Sequence, residues 1–223
     1  MLMRRDPVLR EAIKKIGPCL MADRQRKDHL TALVGAIVSQ QLSTKAAATI
    51  FGRFTALVVG TGVDQVAPTP VPITVAAIHA VSDHQLRIVG LSGQKIGYLR
   101  DLCTRITDGR LNLDELDALE DEAVIERLTA VKGFGRWTAE MFLMFRLHRP
   151  DVLPAGDLGI VNAIQRLYRM RKRPKADRVL KMGEAWRPYR SVASWYLWQT
   201  LRNEPLATAR KTRKRSRAAS RAR

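Results

Sequence analysis

The stretch Leu128-Thr129-Ala130-Val131-Lys132-Gly133-Phe134-Gly135-Arg136-Trp137-Thr138-Ala139-Glu140 decides the fold. It reads as the end of one helix, a tight Gly-x-Gly turn and the start of a second helix. Two glycines two positions apart let the backbone turn sharply and come close to another molecule. The helix that follows opens with N–H groups lacking an intrahelical partner, which makes its N-terminus an anion site. A backbone phosphate fits such a site without any readout of sequence. An ordinary corner between two helices would also carry these glycines, so the flanking sequence has to decide.

Working outward, the apolar residues keep a helical period. Leu30, Leu33, Val34, Ile37 and Val38 fall on one helix face, as do Val124, Ile125 and Leu128, and again Ile160, Val161, Ile164, Leu167 and Tyr168. Met141 to Phe145 is apolar all round, which predicts a central, buried helix. Ser92 caps a helix running towards Thr107, and Gly109 ends it. The prolines and glycines between Val58 and Ile73 predict a loop. Roughly eight to ten helices are expected and no strand, an all-α fold.

The chain has 223 residues with 46% hydrophobic, enough for one compact domain or two small helical lobes. No apolar run is long enough for a membrane span, and the start of the chain does not read as a secretory signal. Cys19 and Cys103 are too far apart to make a zinc or iron–sulfur site by themselves and are expected to be reduced. The net charge is +18; eight of those charges lie between Pro205 and Arg223, a stretch without an acid, and removing eight leaves +10 on the rest. The basic balance favours a polyanion partner. Residues 1–204 are expected to be the folded domain, and 205–223 a disordered basic tail. His29, His79, His84 and His148 form no ligand pattern and are expected at the solvated surface.

Val131-Lys132-Gly133-Phe134-Gly135-Arg136-Trp137-Thr138-Ala139 resembles the hairpin of the helix-hairpin-helix DNA glycosylase superfamily. About one helix later Leu153-Pro154-Ala155-Gly156-Asp157-Leu158-Gly159-Ile160 stands where that family has its catalytic aspartate loop. Ile37 to Ala47, with Ser39-Gln40-Gln41-Leu42-Ser43, resembles the family's DNA-contacting junction, and Trp186 to Ser191 with Trp198 resembles the C-terminal helices of its compact DNA-3-methyladenine glycosylase II members. Four motifs in the right order over roughly Asp6 to Arg202 make a stronger signal than any one alone.

The resemblance implies two helical lobes around a DNA-binding cleft, with both chain ends in one lobe. It implies base-excision repair of duplex DNA by hydrolytic release of alkylated, 3-methyladenine-like purines. Asp157 is the implied catalytic residue, Asp151 being less favoured; capping of the next helix is its alternative role. Trp137, Trp198 and Met141 are the implied base-pocket positions. At Met141 a related enzyme has an aromatic, and core filling is the alternative for the tryptophans. Gln40, Gln41, Leu42, Ser43, Lys132, Gly133, Gly135 and Arg136 are the implied DNA contacts, and Leu91 to Lys95 a second wedge. Backbone carbonyls of Thr129, Val131 and Phe134 are implied to hold a monovalent cation; no other cofactor is expected. Members that also cleave the DNA strand have a lysine where this chain has Trp137, so water is the expected nucleophile, without lyase activity. The four-cysteine cluster of another branch has no counterpart. A monomer is expected, cytoplasmic and nucleoid-associated in a bacterium or nuclear in a eukaryote. The rival readings are a non-catalytic helix-hairpin-helix DNA-binding module and a glycosylase for another base, such as uracil or hypoxanthine.

Overall fold

The computed structural model describes residues 1–21, 28–60 and 72–202, and the expected tail at 205–223 lies outside them. The described residues contain twelve α-helices, one 3-10 turn and no strand. Helix-forming residues surpass the eight to ten helices expected because three helices, α1 (Leu2–Arg5), α5 (Val75–Ala80) and α6 (Asp83–Ile88), are too short to show a period. None of the described helices is long and apolar enough to cross a membrane.

The chain divides into two compact units. One joins Met1–Met21 to the part of the chain from Pro150 onward; the other is the intervening segment ending at Arg149.

In the intervening unit, α3 (His29–Ser39), α4 (Thr44–Val59), α5, α6 and α7 (Gly93–Thr107) all start on a side-chain cap: Asp28, Ser43, Thr74, Ser82 and Ser92 each accept a backbone N–H from the first turn. Such caps satisfy donors that a helix start otherwise leaves unpaired. The predicted apolar face of α3 is buried, as is that of α8 (Asp121–Thr129). Val58 and Val59 close α4 where a loop is expected, and 61–71 lies outside the described residues. His29 is buried, against expectation; its Nε2 meets Asp117 Oδ2 at 3.0 Å and its ring packs on Phe142. It stands one turn before Leu33, and so on the core face of α3. In α9 (Arg136–Phe145), Phe142, Leu143 and Met144 are buried, but Met141 and Phe145 are only half-buried.

The other unit packs α2 (Pro7–Ile16), α10 (Leu158–Leu167), α11 (Ala176–Gly183) and α12 (Arg190–Arg202) around Leu9, Ile160, Ile164, Val179, Trp186 and Leu197. Asp6 organises this core. Its Oδ1 accepts the Val8 and Leu9 N–H groups at 3.0 and 2.9 Å, capping α2, while Oδ2 accepts the Trp186 indole N–H at 2.8 Å and the Tyr168 hydroxyl. Burial, and then the Asp6 carboxylate, push the Tyr168 hydroxyl well above the usual phenol range, so it stays a donor. Four donors on one carboxylate satisfy an acid that would otherwise be costly to bury.

Asp6→Ala should lower unfolding free energy by about 3 kcal/mol, since it strands two buried donors and removes a cap; urea titration of the variant measures this. The two hairpin glycines should separate. Gly133 has φ +82°, and a Cβ there would overlap the Tyr98 ring, whereas Gly135 has φ −101° with no atom within 4 Å of an added Cβ. Gly133→Ala should cost about 3 kcal/mol, and Gly135→Ala should stay within about 0.5 kcal/mol of wild type. Equal melting temperatures for the two variants would contradict this division of roles.

Candidate functional site

In the intervening unit, α8 ends at Thr129, the chain turns through Gly133, and Gly135 begins α9. The turn is fastened from several sides. Phe134 N–H donates to the Val131 carbonyl at 3.1 Å, and Phe134 itself is buried. Lys132 N–H donates to Asp101 Oδ2 at 2.8 Å, and the Gln40 amide donates to the Gly133 carbonyl at 2.9 Å. Burial raises the Asp101 carboxyl, but the Lys132 N–H and the Arg105 guanidinium outweigh it and hold the acid below its usual range. The start of α9, like that of α8, has no side-chain cap, unlike the five capped helices of this unit, and a helix start without one suits an anion.

The expected DNA contacts fall into different environments. The Lys132 side chain is exposed, and Gly135 leaves open space before α9. Arg136 is a half-exposed guanidinium held by Glu122 at 2.5 Å and by Glu140 at 3.1 Å. These two acids tie Arg136, at the start of α9, to α8 and to its own helix. The Glu140 partner was readable as an i, i+4 pair. Gln40 is joined to the hairpin, Gln41 is exposed with φ +57°, and Leu42 is 37% exposed. Ser43 caps α4 through Ala46 N–H. Of the second expected wedge, Lys95 donates to the Val38 carbonyl at 2.7 Å, closing the end of α3, and Gln94 donates to the Tyr98 hydroxyl. Burial lowers the Lys95 ammonium from its usual range. Gly93 and Gln94 remain exposed at the start of α7.

Beside this turn lies a cavity of about 790 Å³, lined by Leu33, Gln40, Leu42, Trp137, Met141, Phe145 and Arg146 among others. Its size and mostly apolar lining suit a small planar ligand. Trp137, 52% exposed, and Met141, one turn further on, are both on its wall. The sequence reading missed Arg146, which no motif marks.

In the other unit, Pro154 and Ala155 are buried, while Gly156 and Leu158 on either side of Asp157 are exposed. Asp157 begins α10. Its Oδ1 accepts the Ile160 N–H at 2.8 Å and the Trp198 indole N–H at 2.8 Å. A Cβ on Gly159 would stand 2.9 Å from Trp198 Cδ1, so the glycine lets the indole reach the carboxylate. Asp151, the less favoured alternative, is bound by Arg187 and Arg190, each at 2.8 Å. Trp186 is fully buried and Trp195 stacks edge-on against Tyr196, so both fill the core. Cys103 is buried, and that burial pushes its thiol up to about 11, leaving it unreactive.

A family model described as HhH-GPD superfamily base excision DNA repair protein matches residues 34–188. DNA-3-methyladenine glycosylase 1 of Schizosaccharomyces pombe is 39% identical over 177 residues, covering 79% of this chain and 74% of that protein. Among solved structures, a DNA-3-methyladenine glycosidase from Bacillus halodurans superposes with a TM-score of 0.72 at 38% identity, over 89% of this chain and 86% of that one. The S. pombe 3-methyladenine DNA glycosylase in complex with abasic DNA gives the same TM-score at 35% identity, over 87% and 91% of the two chains. A family match over more than half of the sequence, joined to the hairpin and to the aspartate at the head of α10, places this chain in the HhH-GPD superfamily of base excision DNA repair proteins.

Proposed function

We propose that the protein is a monofunctional DNA glycosylase that hydrolyses the N-glycosidic bond of alkylated purines in duplex DNA. The observation that carries this reading is Asp157, a partly exposed carboxylate whose Oδ1 is fixed by a backbone N–H and an indole N–H. As the base leaves with the bonding electron pair, positive charge develops on the sugar. A carboxylate already oriented by the protein stabilises that charge. Water then adds to C1′ and loses a proton, giving free base and an abasic site. An N-alkylated purine is cationic in the nucleotide and departs neutral, which removes the need for a dedicated acid. The target base leaves the stack to react, and Trp137 offers an aromatic face in the cavity. Such a face attracts a cationic base by ~0.5–2 kcal/mol. The uncapped start of α9 and the Lys132 side chain bind backbone phosphate, and Gln41 and Leu42 enter the duplex beside the lesion. The protein acts as a monomer, in the compartment that holds the genome.

Trp198 has a more specific task than walling a pocket: it positions Asp157. The hairpin also suits a monovalent cation. The Val131 carbonyl accepts one N–H, from Phe134, and a carbonyl oxygen has a second lone pair for an ion. The Thr129 and Phe134 carbonyls would complete the set, and the ion would supply positive charge facing a phosphate.

Asp157→Asn keeps the shape and removes the charge, so single-turnover release of 3-methyladenine should fall about a hundred- to thousandfold while duplex binding persists. The wild type should leave abasic DNA that breaks only after alkali, and borohydride should trap no adduct. Near-normal release by the variant would return Asp157 to the role of a cap, and a trapped adduct would end the monofunctional reading. A protein that binds DNA but releases no base would be the non-catalytic module instead.

Trp198→Phe separates positioning from stacking, because phenylalanine keeps an aromatic face and loses the N–H. The single-turnover rate should drop about tenfold, the scale of one hydrogen bond to a charged group, with KM for alkylated duplex unchanged. A change confined to KM would instead put the ring against the substrate.

A further inference from the structure

Arg146, the residue that follows α9, lines the cavity beside Trp137 and Met141. Its backbone N–H closes the helix on Phe142. Its guanidinium differs from those around it. Arg100, Arg105, Arg136 and Arg149 all hold carboxylates or carbonyls. Arg146 Nε is buried and makes no hydrogen bond among the described residues. A buried donor left unsatisfied costs free energy that a correctly placed acceptor recovers. The cavity wall on which Arg146 stands is mostly apolar, with Ser39, Gln40, Gln41 and Thr138 as its polar residues, so a ligand that carries an acceptor adds one where few exist.

We propose that Arg146 is a specificity-determining residue that donates to a carbonyl oxygen on the extruded base and so favours alkylated guanine over alkylated adenine. This rests on the glycosylase reading above. Three pieces of chemistry support it. A guanidinium offers donors only, so it pairs with the C6 carbonyl of guanine and meets the C6 amino group of adenine donor to donor. A positive charge in the pocket also works against any cationic base, by an amount that falls with screening. The carbonyl contact offsets that repulsion for guanine lesions, whereas adenine lesions have no such compensation. Finally, Trp137 attracts both lesions alike, since ring stacking reads charge and surface and not the C6 substituent.

7-Methylguanine and 3-methyladenine are both cationic as nucleotides and differ at C6, in the C2 amino group and in the methyl position; comparing their rate ratio between the wild type and an Arg146 variant cancels the differences that Arg146 does not touch. The test is single-turnover excision of each lesion from otherwise identical duplexes by the wild type and by Arg146→Met. The ratio of 7-methylguanine to 3-methyladenine rates should fall about tenfold or more in the variant, the scale of a lost charge-assisted hydrogen bond. An unchanged ratio overturns the proposal. An equal fall for both lesions, with a salt dependence of DNA binding reduced by about one phosphate contact, also overturns it and assigns Arg146 to the backbone. A wild type that releases neither base overturns the glycosylase reading itself. If Arg146→Met does not fold, the ¹⁵N resonance of the wild-type Arg146 Nε–H decides. It should shift on addition of free 7-methylguanine and stay in place with 3-methyladenine; equal response to both refutes the carbonyl contact.

Discussion

The intervening unit depends on how closely Tyr98 can lie against the backbone at Gly133. Because no side chain stands there, α7 approaches the hairpin closely enough for Asp101 to take the Lys132 N–H, and Gln40 reaches the Gly133 carbonyl from the end of α3. Helices from three places in the sequence are thereby fixed to one turn. That turn sets where α9 begins, which in turn sets where Trp137 and Met141 stand on the cavity wall. A bulkier residue at position 133 would separate α7 from the hairpin and move all of these together.

At the head of α10 the cap that the sequence leaves as one alternative for Asp157 is present, and it does not exclude the other. Asp157 caps its helix through Ile160 N–H and still presents a charged group between the exposed residues Gly156 and Leu158. The cap restricts rotation of the carboxylate. Trp198 adds a second donor to the same oxygen, which restricts rotation of the group further. An electrostatic catalyst benefits from such restriction, because no reorganisation is then needed as charge develops.

Features carried by local sequence were legible. The cap at Ser92, the end of that helix near Gly109, the buried face of α3 and the hairpin all follow from residues within one or two turns of each other. Features carried by contacts across the chain were not. The Trp198–Asp157 bond spans 41 positions and Gln40–Gly133 spans 93. No periodicity encodes either. The Arg136–Glu122 pair spans 14 residues, and only the fold brings the two together. The short helices α5 and α6 escaped for a different reason: six residues cover less than two turns.

The Asp6 cluster bears on the order in which the protein can be made. Asp6 is joined to Tyr168 and Trp186, which lie 162 and 180 positions further along the chain. During synthesis, α2 therefore leaves the ribosome long before its partners exist, while the intervening unit is complete by Arg149. That unit can close on contacts within itself, but α2 must wait with Leu9 uncovered. At roughly 5–20 residues per second, the wait lasts on the order of ten seconds or more. The nascent N-terminal segment is thus the part of this protein most in need of protection by a chaperone.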